Sequence, residues 1–192
     1  VRYENGKFTP FDNQTYQCKN AVTIIRQLSD QRMVFGTGEG VYLEQDGQMQ
    51  PLLAAEHEAQ NEYILSLAQD LNQNLWFSTL NGLLYRYHLP TKEVIPVHEY
   101  FNVPPGVIYT MDLGPNGSLV LGTQRGVFQL LLDPNGNVRQ MLSYGKNDGF
   151  LGMEANANAS FVEEDGSVWI GTVDGAYKFN PVSVAQAQSK PV

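Results

Sequence analysis

The sequence predicts an all-β fold, a partial β-propeller: an arc of about four blades, each a four-stranded antiparallel sheet. Three observations predict it. One phrase recurs four times, as RMVFGTGEGVYLE from Arg32, NLWFSTLNGLLYRY from Asn74, SLVLGTQRGVFQL from Ser118 and SVWIGTVDGAYKF from Ser167. Its anchor threonines, Thr37, Thr79, Thr123 and Thr172, stand 42, 44 and 49 residues apart, a period that marks a repeat architecture. The register inside the phrase is tight. A turn pair ends six residues before each Thr, at Gln31, Gln73, Gly117 and Gly166, and a Gly stands three residues after it, at Gly40, Gly82, Gly126 and Gly175. Finally, the strands MVF, LWF, LVL and VWI are apolar on both faces, where an antiparallel sheet with one wet face would alternate. Short turns make their neighbours antiparallel, so small sheets must stack face to face, as propeller blades do. A β-sandwich is the alternative, and the regular period argues against it.

The elements follow in order. Residues 1–16 read as the outer hairpin of a truncated blade: Val1 and Tyr3 alternate with polar residues, Asn5-Gly6 supplies a turn tolerant of positive φ, and Phe8 and Phe11 follow. Residues 17–54 form the first full blade, with strands VTIIRQL, MVF, VYLE and Met49 to Leu53 and turns at Asp30-Gln31 and Asp46-Gly47. Residues 55–101 supply YILSLAQ, LWF, LLYRY and, after a polar break, VIPVHEY. Residues 102–144 supply VIYTMDL, LVL, VFQLLL and VRQMLSY around Asn116-Gly117 and Asn135-Gly136. The last blade, 145–181, runs NASFVEE, VWI and AYKF with no evident fourth strand. Asn180-Pro181 then opens a polar stretch, and 182–192 reads as a linker towards a following domain.

The 192 residues fit one domain. At 42% hydrophobic and 17% charged, the composition is globular. A formal net charge of −8 repels phosphate backbones and argues against nucleic acid as a partner. Cys18 is the only cysteine, so no internal disulfide can form. No apolar run is long enough to span a bilayer, so no membrane contact is expected of this stretch. The chain opens on Val1 within strand-like sequence and reads as a piece of a longer protein, the C-terminal part of a larger ring.

DLNQNLWFSTLNGLLYRY and EEDGSVWIGTVDGAYKFNP resemble the two-component regulator propeller repeat, with its Gly-containing turn, Trp strand, Gly-Thr step and Gly-Leu strand. The resemblance covers nearly the whole chain. NDGFLGMEANANAS before the last blade and FNP after it look like the final repeat of such propellers, ahead of a triple-tyrosine domain. The sequence departs from the pattern at Gln31, Gln73, Ser78, Val34 and Val120. The resemblance implies a periplasmic sensor domain in a ring expected to have seven blades, on a parent anchored in the bacterial inner membrane. Its output would be a histidine kinase, often a hybrid one, or a diguanylate cyclase. The implied partners are the remaining blades, the triple-tyrosine domain, a second copy of the parent in a homodimer, and a small molecule, with a glycan one candidate.

No pair among His57, His88 and His98 has metal-site spacing, and the sequence holds no nucleophile elbow or Walker loop. Asp-Gly pairs at 46, 148 and 165 lack the further oxygen ligands of a calcium loop and read as turns. No metal, cofactor or catalytic residue is therefore assigned. Trp76 and Trp169 share one repeat position, and packing between blades is the preferred reading over ligand stacking. The irregular approach to the last blade, Asp148 to Asn158, should share a rim with the Thr-x-x-Gly turns, and loops on one rim of a rigid scaffold are where binding usually sits. The candidate ligand contacts are Glu154, Asn156, Arg125, Asp174, Glu39 and Asn81; Glu62, Tyr63 and Tyr109 lie near the first strands. A non-catalytic sensor is the leading reading, with a polysaccharide lyase or glycosidase and a protein-docking platform as alternatives, because fold alone does not choose.

Overall fold

The computed structural model describes residues 2–9, 21–46, 48–104, 106–148, 150–152 and 154–181, and in it each repeat phrase closes a β-hairpin. Phe11, Cys18 and the expected linker 182–192 lie outside the described residues. The chain divides into two units, Val1–Ile64 and Leu65–Val192. In the first, β1 (Arg2–Glu4) and β2 (Lys7–Thr9) pair antiparallel about Asn5 and Gly6, whose φ values of 52° and 77° fit a primed hairpin turn. The first sheet then meanders through β3 (Val22–Gln27), β4 (Met33–Thr37), β5 (Gly40–Gln45) and β6 (Gln48–Pro51). Ile24, Val34, Val41 and Leu43 are buried in it.

The second unit repeats the meander. The second sheet holds β7 (Ile64–Gln69), β8 (Asn74–Thr79), β9 (Leu84–His88) and β10 (Glu93–Pro96). The third holds β11 (Ile108–Leu113), β12 (Leu119–Thr123), β13 (Gly126–Leu132) and β14 (Val138–Tyr144). The fourth has three strands among the described residues, β15 (Ala155–Val162), β16 (Val168–Thr172) and β17 (Gly175–Phe179).

Two stretches differ from the sequence reading. VIPVHEY leaves the sheet after Pro96, and Val97–Tyr100 turns into a single helical turn, α1. Proline offers no N–H to continue the ladder, and His98 Nδ1 hydrogen-bonds the Leu84 carbonyl at 3.1 Å instead. The approach to the fourth sheet is less irregular than expected, because β15 already starts at Ala155, paired with Thr172. The register then shifts between Ala155 and Ser160, and this bulge hid the strand period in NANAS.

The turns explain what the repeats share and where they part. Gln31, Gln73, Gly117 and Gly166 all have positive φ, at 72°, 60°, 73° and 82°. Two glutamines thus adopt the left-handed conformation that glycine supplies in the other repeats, at a cost on the order of 1–2 kcal/mol each. The Thr-x-x-Gly phrase makes two kinds of hairpin. Thr37 pairs with Gly40, Thr123 with Gly126 and Thr172 with Gly175 across two-residue turns. In the second sheet the extra Leu83 enters the turn, Ser78 pairs with Leu84, and Leu83 N donates to Thr79 Oγ1 at 3.3 Å.

Stacking occupies the second unit. Every residue of β8 and β12 is buried. Trp76, Leu84 and Ala68 of the second sheet pack with Met111, Leu119, Leu121, Phe128 and Leu130 of the third. Val120, Val127 and Tyr144 of the third pack with Ala155, Val168 and Ile170 of the fourth. Hydroxyls stitch neighbouring sheets: Ser78 Oγ of β8 donates to the Ile108 carbonyl of β11 at 2.9 Å, and Thr110 and Ser160 share a short hydrogen bond, with Ser160 donating on to Asp112. At the opposite end, two Asp-x-Asn-x-Asn turns nest. Asp70 accepts from Asn72 N, Asn74 N, Asn74 Nδ2 and Trp76 Nε1 at 2.8–2.9 Å, and Asp133 repeats the first three of these bonds with Asn135 and Asn137. A Cβ on Gly136, at φ 77°, would stand 2.4 Å from Asn74 Nδ2, so a side chain there would part the two turns.

The tryptophans split. Trp76 is 0% exposed, as expected, whereas Trp169 is 38% exposed, contrary to the sequence reading. Trp169 sits on the face of the fourth sheet that, in the second sheet, is covered by the third. It keeps local partners: Nε1 donates to Glu163 at 2.8 Å and Lys178 lies 5.4 Å from the ring centroid. Trp76→Ala should therefore cost about 3–5 kcal/mol, as large-to-small core changes do, and Trp169→Ala less than half of that. Urea unfolding of the two variants measures the contrast.

Candidate functional site

In the first, third and fourth sheets the first strand starts opposite the threonine of the Thr-x-x-Gly turn: Val22 pairs with Thr37, Ile108 with Thr123 and Ala155 with Thr172. The connections into the first strands and the Thr-x-x-Gly turns thus share one end of each sheet. Within the second unit these loops touch. A Cβ on Gly82, in the turn that carries Asn81, would stand 2.9 Å from the Gly106 carbonyl in the next connection.

The threonine hydroxyl shapes each two-residue turn. Thr123 Oγ1 donates to the Gly126 carbonyl and accepts from Arg125 N, both at 3.0 Å. Thr37 does the same with Gly40 and Glu39 N at 2.9 and 3.0 Å. Thr172 Oγ1 lies 3.0 Å from the Gly175 carbonyl and 2.6 Å from Asp174 Oδ1. Side chains at the turn positions project from a backbone that the buried hydroxyl holds.

The candidate residues fall into separate places. Glu154 and Asp174 belong to one knot. Val173 N donates to the Glu154 carbonyl at 3.0 Å, Asn156 Nδ2 donates to the Thr172 carbonyl at 3.0 Å, and Asp174 Oδ2 accepts from Tyr177 OH at 2.9 Å. Asn156 lies in β15, so its direction is fixed by a strand and not by an irregular loop. The Glu154 carboxylate hydrogen-bonds Tyr109 OH, and Gln124 Nε2 donates to the same oxygen at 3.4 Å. Glu154 holds the Tyr109 phenol above its ordinary value by accepting a hydrogen bond from its O–H, and Gln124 opposes the shift. Gln124, Tyr109 and Glu154 therefore join the turn and first strand of the third sheet to the entry of the fourth.

Arg125 is exposed and lines a different cavity, of about 410 Å³, with Tyr144, Lys146 and Asp148 at the end of β14. There burial, with the charge of Asp148, pushes the Tyr144 phenol up to about 12. Asn81 is exposed in its turn. Glu39, in the first unit, is exposed, and its carbonyl accepts from Gln60 Nε2 at 3.5 Å. Sequence reasoning passed over Gln124, although it stands beside Arg125 in a turn already singled out. It also passed over Arg86, whose signal was a cation in the middle of the apolar strand LLYRY.

Solved structures place the architecture. The extracellular domain assigned to a one component system, BT4673 of B. thetaiotaomicron, superposes with a TM-score of 0.69 at 20% identity, over 91% of this chain and 23% of that one. The fold is a β-propeller. The extracellular domain assigned to a hybrid two component system, BT3049 of the same organism, gives 0.56 at 14% identity over 90% and 29%. A protein assigned as a gluconolactonase gives 0.64 at 11% over 82% and 59%. The propeller chain thus spans about a quarter of the length of the two B. thetaiotaomicron domains. No protein-family model and no curated protein sequence matches it. Among the described residues, no helix is long and apolar enough to cross a membrane.

The Tyr109–Glu154 bond yields a pH test. Ionising Tyr109 places two negative charges together, so Glu154→Gln should bring its pKa down towards 10. A titration of 13Cζ-labelled tyrosines by NMR should show one resonance moving in that direction.

Proposed function

We propose that the chain is a non-catalytic, ligand-sensing part of a periplasmic propeller in a bacterial signalling receptor of the two-component or diguanylate cyclase kind. The parent would be anchored in the inner membrane and act as a homodimer, with further blades and a triple-tyrosine domain. The observation that carries this reading is the Gln124–Tyr109–Glu154 chain, which ties groups from two blades together on the rim where the connecting loops gather. A polar ligand exchanging hydrogen bonds with that chain would act on both blades at once. The likeness in fold to two extracellular domains of B. thetaiotaomicron signalling systems supports the class of receptor. Glu154, Asn156 and Asp174 are assigned to one part of the rim, Arg125 to the neighbouring cavity, and Asn81 and Glu39 to the equivalent turns. Those of the second unit offer donors, acceptors and both charge signs, as a hydroxyl-rich small molecule requires.

A thermal-shift screen of neutral and acidic oligosaccharides on the 192-residue chain tests the reading. A binder should lose about tenfold or more in affinity in Glu154→Ala, equivalent to about 1.4 kcal/mol. It should emerge from incubation chemically unchanged. Binders indifferent to Glu154→Ala, Asn156→Ala and Arg125→Ala would overturn the rim assignment, and product formation would return the chain to the lyase or glycosidase reading.

A further inference from the structure

A second cavity lies away from the rim, between the second and third blades. It holds about 400 Å³, within the range of small-molecule sites, and Trp76, Arg86, Glu93, Pro96, Tyr100 and Phe101 are among its walls. Trp76 is fully buried at its back, and Tyr100 is 77% exposed.

Arg86 gives the cavity its chemistry. Its residue is 9% exposed, and its guanidinium carbon lies 6.0 Å from the Trp76 ring centroid. Nη1 donates to the Gly136 carbonyl at 2.5 Å and to Asn137 Oδ1 at 3.0 Å, fastening the second blade to the third. Both acceptors are neutral. The donors on Nε and Nη2 bond none of the described residues, neither nitrogen is a sealed, unsatisfied atom, and Arg86 lines the cavity. Among the described residues no carboxylate comes within 4.0 Å of the guanidinium. Asp133, held below the usual carboxylate range chiefly by the Asn137 backbone N–H and least by the Arg86 charge, is already engaged by Asn135 and Asn137. A mostly desolvated cation without a counter-charge is costly, and an entering anion would relieve that cost.

We propose that this inter-blade cavity binds a small monocarboxylate with a ring-sized apolar body, its carboxylate on the Nε–Nη2 edge of Arg86 and its ring against Pro96, Tyr100 and Phe101. That edge of a guanidinium presents two parallel donors, the geometry of bidentate carboxylate recognition. Glu93 is exposed in the same lining and repels a second negative charge, which disfavours polyanions such as nucleotides. The site is separate from the rim residues, and its occupancy would bear on how the second and third blades are held together.

The test is an NMR titration of the 192-residue chain with phenylacetate and, in parallel, with its neutral amide, phenylacetamide. Phenylacetate, with about ten heavy atoms, should saturate in the millimolar range and shift the Arg86 Nε–H and Trp76 Nε1–H resonances. The amide should bind at least tenfold more weakly. Tyr100→Ala changes an exposed side chain and leaves the blade contact of Arg86 intact; it should weaken phenylacetate binding at least fivefold. Glu154→Ala should leave it unchanged. Failure to saturate, equal binding of the amide, indifference to Tyr100→Ala, or loss in Glu154→Ala would each overturn the proposal.

Discussion

The hydroxyl of the repeat threonine is the constraint on which the rest depends. A two-residue hairpin leaves a backbone N–H and a carbonyl turned towards the buried threonine. One hydroxyl satisfies both in the first and third blades, with nearly the same distances, and in the fourth Thr172 Oγ1 meets the Gly175 carbonyl and Asp174 Oδ1. The threonines themselves are buried, at 0% exposure for Thr37 and Thr123. The side chains of the turn are then free to differ, as Gln124-Arg125 and Val173-Asp174 do, because the backbone beneath them is already fixed.

From that fixed point the two ends of a blade take different tasks. At the Thr end, Gly82 of the second blade lies against the Gly106 carbonyl in the connection into the third, and Gly122 of the third lies against Ala155 of the fourth. At the other end, aspartates organise the turns, and Asp70 also receives the indole N–H of Trp76. Arg86 then crosses to the Gly136 turn. The fourth blade carries the same set in Glu163, Trp169 and Lys178, with Lys178 the cross-strand partner of Trp169 as Arg86 is of Trp76. There the set is exposed, and Glu163 and Lys178 pair with each other at 2.5 Å. The same acid, indole and cation thus serve as a blade contact in one repeat and as a surface cluster in another.

The fold was legible because the repeat wrote it four times. Period, turn positions and strands apolar on both faces each point to stacked antiparallel sheets, and consistency across levels makes such a reading secure. What escaped were features set by neighbours in space. Nothing local marks Trp169 as exposed, since its strand is as apolar as that of Trp76; only the coverage of the sheet face separates them. The bulge in β15 masked a strand start, and Pro96 ended one early. The rim was legible as a location, because topology places loops. Its connectivity was not, because whether Tyr109 meets Glu154 or Gln124 depends on side-chain directions across two blades. Arg86 was visible as an oddity in its strand, but its role needed the partner loop fifty residues on.

The most direct measurement is the stability of Thr123→Val, which keeps the shape of the side chain and removes the hydroxyl. The Gly126 carbonyl and the Arg125 N–H would each lose a buried partner, so the variant should be less stable by about 1–3 kcal/mol, with faster amide exchange at Arg125. Thr79→Val, in the three-residue turn where the hydroxyl accepts one bond at 3.3 Å, should lose clearly less. A Thr123→Val protein within about 0.5 kcal/mol of the parent, with unchanged exchange at Arg125, would contradict the claim that the threonine hydroxyl organises the blade.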